Sequence, residues 1–370
     1  MKKIFMVLLG LFLSTGAAFA QDAAAPGKLR IFVVSSYSRD YLWSQETNKG
    51  LCAAFKEFKF LETDQQIEDF TKNDAVETDT AVIKKSWMDT KKKSQKEEIL
   101  AATAAVTAQM NEFKPDIVLL GNDNATNFIG AKLINTSTPV VFWGVAVNPM
   151  KYGYIESFDH PGHNMTGVYK SGYYKEGLDN LKKLAPGANT FAVLSDDSET
   201  GRAKVKALEK LNDHGELALK LADKVVTNSF TEFKAKILEL QGKVDAFFVT
   251  NIGTIKDDDG SAVDTLKVAA WYLTNVKKPE AAAEGHLVQT GLLVAVDDSG
   301  YKQGYEAGKM ADMILHGKKS PAGIPVLTPA RGPIMVNKLR AQTLGIDLTG
   351  KDFIEQAVSG SKALEKYPQQ

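Results

Sequence analysis

The sequence predicts an α/β protein of two doubly wound parallel-sheet lobes, and three observations predict it. Short apolar runs rich in β-branched and aromatic residues recur along the chain, and each ends in small polar residues. A buried parallel strand reads this way where it meets the open carboxyl edge of its sheet. Helical patterning separates most of these runs, the alternation expected of a sheet covered on both faces. The runs are too many for one compact domain, and 370 residues are enough for two of ordinary size.

Residues 1–20 stand apart from this pattern. Lys2 and Lys3, an apolar run over 4–13, and Ala18, Phe19 and Ala20 before Gln21 have the three parts of a secretory signal peptide. Cleavage after Ala20 and export to the periplasm are therefore expected. Residues 23–27 form a small-residue leader. The first strand covers 31–34 and runs into Ser35, Ser36 and Tyr37, and the loop behind it carries Arg39, Asp40, Tyr41 and Trp43. Three rings and two opposite charges in so few positions suit a loop that lines a cleft and stacks on a small molecule, although rings at such a place also pack over the end of a sheet. Ser44 offers an N-cap and Glu46 a first-turn acid for a helix continuing through Leu51, Ala54, Phe55 and Phe58.

The region 64–79 is polar and reads as irregular. A second strand over 81–88 ends near Asp89, and Lys91, Lys92 and Lys93 read as a solvated charge run. Residues 97–113 have helical period, with Ile99, Leu100, Thr103, Val106 and Met110 on one face. Further strands cover 116–121, 139–143, 190–194, 245–249 and 292–296. Their polar tips are Asn122, Asp123 and Asn124; Gly144; Ser195, Asp196 and Asp197; Thr250 and Asn251; and Asp297, Asp298 and Ser299. Helices are expected over 127–133, 175–184, 201–214, 231–241, 261–273 and 302–316. Ligands bind outside the carboxyl ends of such strands, so these tips form the candidate site. The lobe boundary is expected after Trp143, where Asn148-Pro149 opens an irregular stretch reaching Thr166.

Composition narrows the function. Forty-five basic residues balance forty-five acidic ones, and loss of two signal-peptide lysines leaves the exported chain slightly acidic, which argues against nucleic acid as a partner. The single cysteine, Cys52, cannot form an internal disulfide. No nucleophile elbow, P-loop, dinucleotide fingerprint or zinc-protease motif occurs, so neither a cofactor nor a catalytic residue is assigned. His160 and His163 flank Pro161 and Gly162 and read as a turn rather than a metal pair. Asp257, Asp258 and Asp259 are consecutive, unlike the alternating acids of a calcium loop. Asp196 and Asp197 precede Thr200, a candidate cap, so they suit a helix start as well as ligand contact.

Several segments resemble one family. Asn148-Pro149, the stretch 159–167 (DHPGHNMTG), Leu181 to Ala188 and Ala192 to Leu194 look like the middle of ABC-importer substrate-binding proteins, the group that includes aromatic amino-acid binders. Gly304 to Gly308, 311–317, Ile324 to Val326, Val336-Asn337, Ala341 and Leu344-Gly345 are similar too. Ser36-Tyr37 with Trp43, and Met88 to Lys91, resemble a branch whose relatives also serve as extracellular sensing domains. The resemblance implies a periplasmic-binding fold of type I, two lobes joined by a hinge of three crossovers near 144–148, 294–299 and 324–331. It divides the chain into a first lobe of 28–145 plus 297–325 and a second of 146–296 plus 326–362.

Carried over by position, ligand contacts are expected from Ser36, Tyr37, Trp43, Asn122, Asp123, Trp143 and Gly144 in the first lobe. Ser195, Asp197, Glu199, Thr250 and Asn251 are expected from the second, with Asp297 at the hinge. The chain departs from the family in having His163 where many relatives carry glycine, and Thr250-Asn251-Ile252 where an Asp-Asn pair follows the strand. The expected function is delivery of a small organic solute, aromatic or amino-acid-like, to an ABC permease by a protein that needs only to be a monomer. The alternative partner is a membrane sensor. An exported enzyme would need a nucleophile and base together, and no histidine is placed directly at a strand tip by this reading.

Overall fold

The computed structural model describes residues 27–368, so the signal segment and its cleavage site lie outside the described residues. Six strands, β1 (Leu29–Ser35), β2 (Ala75–Glu77), β3 (Ala81–Trp87), β4 (Ile117–Gly121), β5 (Val140–Val145) and β6 (Met165–Tyr169), form one sheet in the order β2-β3-β1-β4-β5-β6. Seven more, β7 (Thr190–Ser195), β8 (Lys220–Val226), β9 (Ala246–Val249), β10 (Glu280–Ala282), β11 (Val294–Val296), β12 (Ile334–Asn337) and β13 (Gln356–Val358), form a second in the order β13-β12-β11-β10-β9-β7-β8. Pairing is parallel throughout except β2 with β3 and β11 with β12. Among the described residues no helix is long and apolar enough to cross a membrane.

Alternate side chains of each central strand enter opposite cores, which is why these strands read as continuous apolar runs. Ile31 and Val33 pack with Leu51, Phe55 and Ala307, whereas Phe32 and Val34 pack with Val106 and Met110. In the second lobe Leu194 and Phe247 join Phe233 and Ile237, while Val193 and Phe248 join Leu178 and Leu208. Both sheets are thus covered on two faces.

The chain changes lobe later than the sequence suggests. β6 pairs in parallel with β5, so residues 146–169 remain with the first sheet and the first crossing follows Tyr169. Asn148-Pro149 opens only a short 3-10 turn, Pro149–Tyr152, and the chain then returns so that Met165, Thr166 and Val168 are buried against the sheet. The chain passes back between Val296 and the Gly300–Leu315 helix, which lies along the Leu42–Glu57 helix of the first lobe. It crosses again between Leu327, which bridges Val168, and β12.

Other local readings also change. Residues 64–79 are not irregular: Asp64–Asn73 is a helix whose Thr63 and Gln66 form a reciprocal capping box, and β2 follows. The first helix begins at Leu42, so Ser44 lies inside it rather than capping it. In the Glu199–Asp213 helix the cap is Ser198, not Thr200. β8 has mostly exposed side chains, and β10 is three residues long, so neither carries an apolar-run signal.

The two long helices of the first lobe meet backbone to backbone. A Cβ at Gly304 would overlap the Thr47 carbonyl oxygen, and one at Gly50 would overlap that of Tyr301. Gly304→Ala is therefore expected to lower unfolding free energy by about 1–3 kcal/mol, because relief of the clash must part the helices. Gly187→Ala, at a position with open space around it, is expected to change it by no more than about 0.5 kcal/mol. Urea unfolding followed by circular dichroism checks both.

Candidate ligand-binding site

The carboxyl ends of both sheets face one small, nearly filled cavity of about 10 Å³. Tyr37, Tyr41, Trp43, Lys91, Asn122 and Gly144 line it from the first lobe, Thr200, Lys204, Asn251 and Glu284 from the second, and Lys170 from the first crossing. The loop after β1 is fixed by Ser36, whose hydroxyl donates to the Gly121 carbonyl at 2.6 Å and accepts from the Ala125 amide at 2.8 Å. That stitch presents Tyr37 and Tyr41 edge to face, with centroids 5.2 Å apart. Trp43 sits in the first turn of its helix. Asn122 is left-handed, at φ 68°, and Gly144 also has positive φ, 67°. A Cβ on Gly144 would lie 3.0 Å from Asn122 Nδ2, so glycine permits the close approach.

The second lobe and the crossing supply charge. Lys170 Nζ lies 2.5 Å from Glu284 Oε1 and 3.7 Å from the centroid of the Trp43 ring, a cation–π contact. Lys204 binds the same Glu284 oxygen and donates to Asn251 Oδ1 at 2.9 Å. Burial opposes ionisation of Glu284, but Lys170 and Lys204 outweigh it and hold the carboxyl well below its usual range. Burial lowers Lys204 to about 8 despite Glu284. Burial also disfavours charge on Lys170, yet Glu284 and Asp298 keep its pKa above the ordinary value. His286 Nδ1 is 3.1 Å from Glu284 Oε2, and the ring packs against Tyr41 and Trp43.

Carboxylates near the cavity are mostly committed to structure. Asp123 Oδ1 accepts from the Ala146 and Val147 amides, and its Oδ2 accepts from the Thr200 hydroxyl at 2.6 Å, a contact between lobes. Asp196 accepts from the Ser198 hydroxyl and from the Gly253 and Thr254 amides. Burial pushes its pKa upward, but Lys91 and these donors bring it below the ordinary value.

Of the residues expected to touch ligand, Tyr37, Trp43, Asn122, Gly144 and Asn251 line the cavity. Asp123 stands one contact away through Thr200. The others are placed elsewhere. Trp143 lies in the first-lobe core; Ser36 is the loop stitch; and the Ser195 and Thr250 hydroxyls donate to main-chain carbonyls. Asp197 is half-exposed and pairs with Arg202 at 2.8 Å. Glu199 accepts from the Tyr152 hydroxyl at 3.0 Å, and Asp297 from the Gly285 amide at 3.1 Å.

Lys91, Lys170, Thr200, Lys204 and Glu284 were not among the expected contacts, nor was Tyr41, although it belongs to the ring-rich loop. Lys91 is buried, contrary to the solvated reading of its run, whereas Lys92 and Lys93 are not. It follows a strand tip as the other candidates do, and that position is the signal. Lys204 lies one helical turn after Thr200, on the same face. Glu284 and His286 follow β10, so a histidine does stand just past a strand end.

The chain matches the model of the family described as ABC transporter substrate binding protein over residues 64–357. A tyrosine-binding protein of Clostridioides difficile (strain R20291) is 26% identical over 226 residues, 61% of this chain. The match spans 62% of that relative's own length. Among solved structures, the ABC domain in complex with L-Trp from Streptococcus pneumonia aligns with TM-score 0.69 and 19% identity, covering 90% of this chain and 100% of that one. A ligand-free, open substrate-binding protein with adhesive properties from Clostridium difficile gives TM-score 0.64 and 20% identity, with the same coverage of both chains. These structures share the periplasmic-binding-protein fold with this chain, two mostly parallel sheets flanked by helices. By the family match over most of its length, the chain belongs to the substrate-binding proteins of ABC transporters.

Proposed function

We propose that the protein is a periplasmic receptor that closes its two lobes on a small organic solute with a flat or aromatic body and presents the closed form to an ABC importer. The observation that carries this reading is the meeting of aromatic and charged side chains from the two lobes around one small space. Tyr37, Tyr41 and Trp43 wall it on one side, and Thr200, Lys204, Asn251 and Glu284 face them from the other lobe. A solute enters such a space only when the lobes part, and its contacts with both sides favour closure. Gln289 Nε2 donates to Glu46 Oε1 at 2.9 Å across the same divide, a second contact that opening would break. The names of the relatives, one a tyrosine binder and one solved with L-Trp, support a ring-bearing ligand. In this reading no bond is made or broken, a monomer suffices, and the amino-terminal pattern directs export with cleavage after Ala20.

The stability of the fold also depends on protonation. Asp298 is buried beside Lys170, its Oδ2 3.9 Å from Lys170 Nζ. Burial pushes its carboxyl from 3.8 up to about 7, with Lys170 opposing. A raised pKa in the folded state contributes stability that is full below the ordinary value of 3.8 and is lost as pH rises through about 7.

Native mass spectrometry of the purified chain is expected to show a bound mass of a small organic molecule that is absent after unfolding and refolding. Failure of every aromatic or flat solute in a calorimetric screen to bind the refolded chain would refute the receptor reading. Trp43→Ala is expected to keep the fold and weaken binding by about 1–3 kcal/mol through lost burial and stacking. Unchanged affinity would move the site elsewhere. The stability difference between wild type and Asp298→Asn is expected to shift against wild type between about pH 4 and pH 7 and to level off above, as read by denaturant midpoints across that range.

A further inference from the structure

We infer that Glu199 and Tyr152 form a latch that holds the two lobes together outside the ligand cavity, so that the chain closes on itself with no solute between them. The inference goes beyond the receptor reading, since no ligand takes part in it. Glu199 opens the Glu199–Asp213 helix of the second lobe, behind the Ser198 cap. Its Oε1 accepts from the Tyr152 hydroxyl at 3.0 Å, and Asn127 Nδ2 stands 3.5 Å from the same oxygen. Both of those residues belong to the first lobe. Neither they nor Glu199 line the cavity. Thr200, the next residue, donates to Asp123 Oδ2 at 2.6 Å, so two consecutive side chains of one helical turn are bonded into the opposite lobe.

The first-lobe half of the latch is braced on its own side. The Tyr152 and Tyr154 rings pack with centroids 5.4 Å apart. The Tyr154 hydroxyl donates to the Asn127 carbonyl at 2.6 Å, which ties the 3-10 turn after β5 to the helical turn after β4. Asn148 Oδ1 caps that 3-10 turn by accepting from the Met150 amide at 2.9 Å. Tyr152 is thus positioned before Glu199 reaches it, and a donor fixed in advance gives up little freedom when the bond forms. Burial, together with the Asp123 and Glu199 charges, pushes the Tyr152 pKa upward, so its hydroxyl stays a donor. The charge on Glu199 is not what grips. Burial and the Asp123 carboxylate raise its pKa, against the pull of Tyr152, Asn127 and Arg202. Closing therefore works against the carboxylate's charge, and the acceptor oxygen, which an amide also carries, makes the bond. The lobe faces that meet leave only about 10 Å³ at the cavity, so their own side chains complete the closed form.

The test places spin labels on the refolded chain at one exposed position in each lobe, Lys151→Cys and Lys206→Cys, with the buried Cys52 replaced by alanine. Their separation is measured by double electron–electron resonance with no solute added, and a single short distance is expected to dominate. Tyr152→Phe and Glu199→Ala, each checked for unchanged circular dichroism, are expected to raise the ratio of open to closed molecules about tenfold, the effect of losing one hydrogen bond to a charged group. Glu199→Gln, which keeps the acceptor, is expected to hold the short distance. A long distance that dominates with the latch intact overturns the inference, as does a short distance that survives both Tyr152→Phe and Glu199→Ala. So does a Glu199→Gln chain that opens as far as Glu199→Ala. Failure of the receptor reading shows differently, because it would leave these distances unchanged and appear only when solutes are added.

Discussion

One carboxylate, Glu284, sets the terms on which the cleft exists. It lies in the second lobe just past β10, and it is the common partner of Lys170, which opens the first crossing, and Lys204, which rises from the Glu199–Asp213 helix. Each of these charges is nearly withdrawn from water, and none would be tolerated there alone, because a buried ion without a partner costs several kcal/mol. Together they compensate one another. Lys170 also lies on the Trp43 ring, so the same network ties the aromatic wall of the first lobe to the acid of the second. Geometry at the ligand cavity follows from where this cluster can be satisfied.

A consequence is that polar groups here divide into those with structural employment and those without. Asp123 and Asp196 look alike in the sequence, acids at strand tips, and both turn out to organise backbone: one receives the amides of Ala146 and Val147, the other those of Gly253 and Thr254. Thr200, which reads as a cap, instead reaches across the lobes to Asp123. Helix N-termini and strand tips are where local hydrogen bonding and ligand binding use the same residue types.

The lobes were legible because their central strands are buried on both faces, which writes uninterrupted apolar runs such as 31–34 and 117–120 into the chain. Elements with weaker demands were not: β8 exposes most of its side chains, and β10 has only Glu280, Ala281 and Ala282. β6 was hidden by the irregular stretch before it, and with it went the true place of the first crossing. In the site, the ring-rich loop announced itself, since Tyr37, Tyr41 and Trp43 crowd one short segment. Lys91 did not, because a run of three lysines reads as solvent-facing, and only the fold separates the first of them from the two that follow. Lys170 and Glu284 are single charges whose meaning depends on a partner more than a hundred positions away.

The glycine seam between the Leu42–Glu57 and Gly300–Leu315 helices bears on how the chain comes into being. Ala307, Met310 and Ala311, from the later helix, complete the core that Ile31 and Val33 begin. A nascent chain therefore holds the first lobe with one face of its sheet partly uncovered until residue 315 has left the ribosome, by which time most of the second lobe has already been made. Folding here does not proceed from the amino terminus one lobe at a time; the earlier lobe waits on the later for its closing helix, and a fragment ending at the second crossing has neither lobe whole.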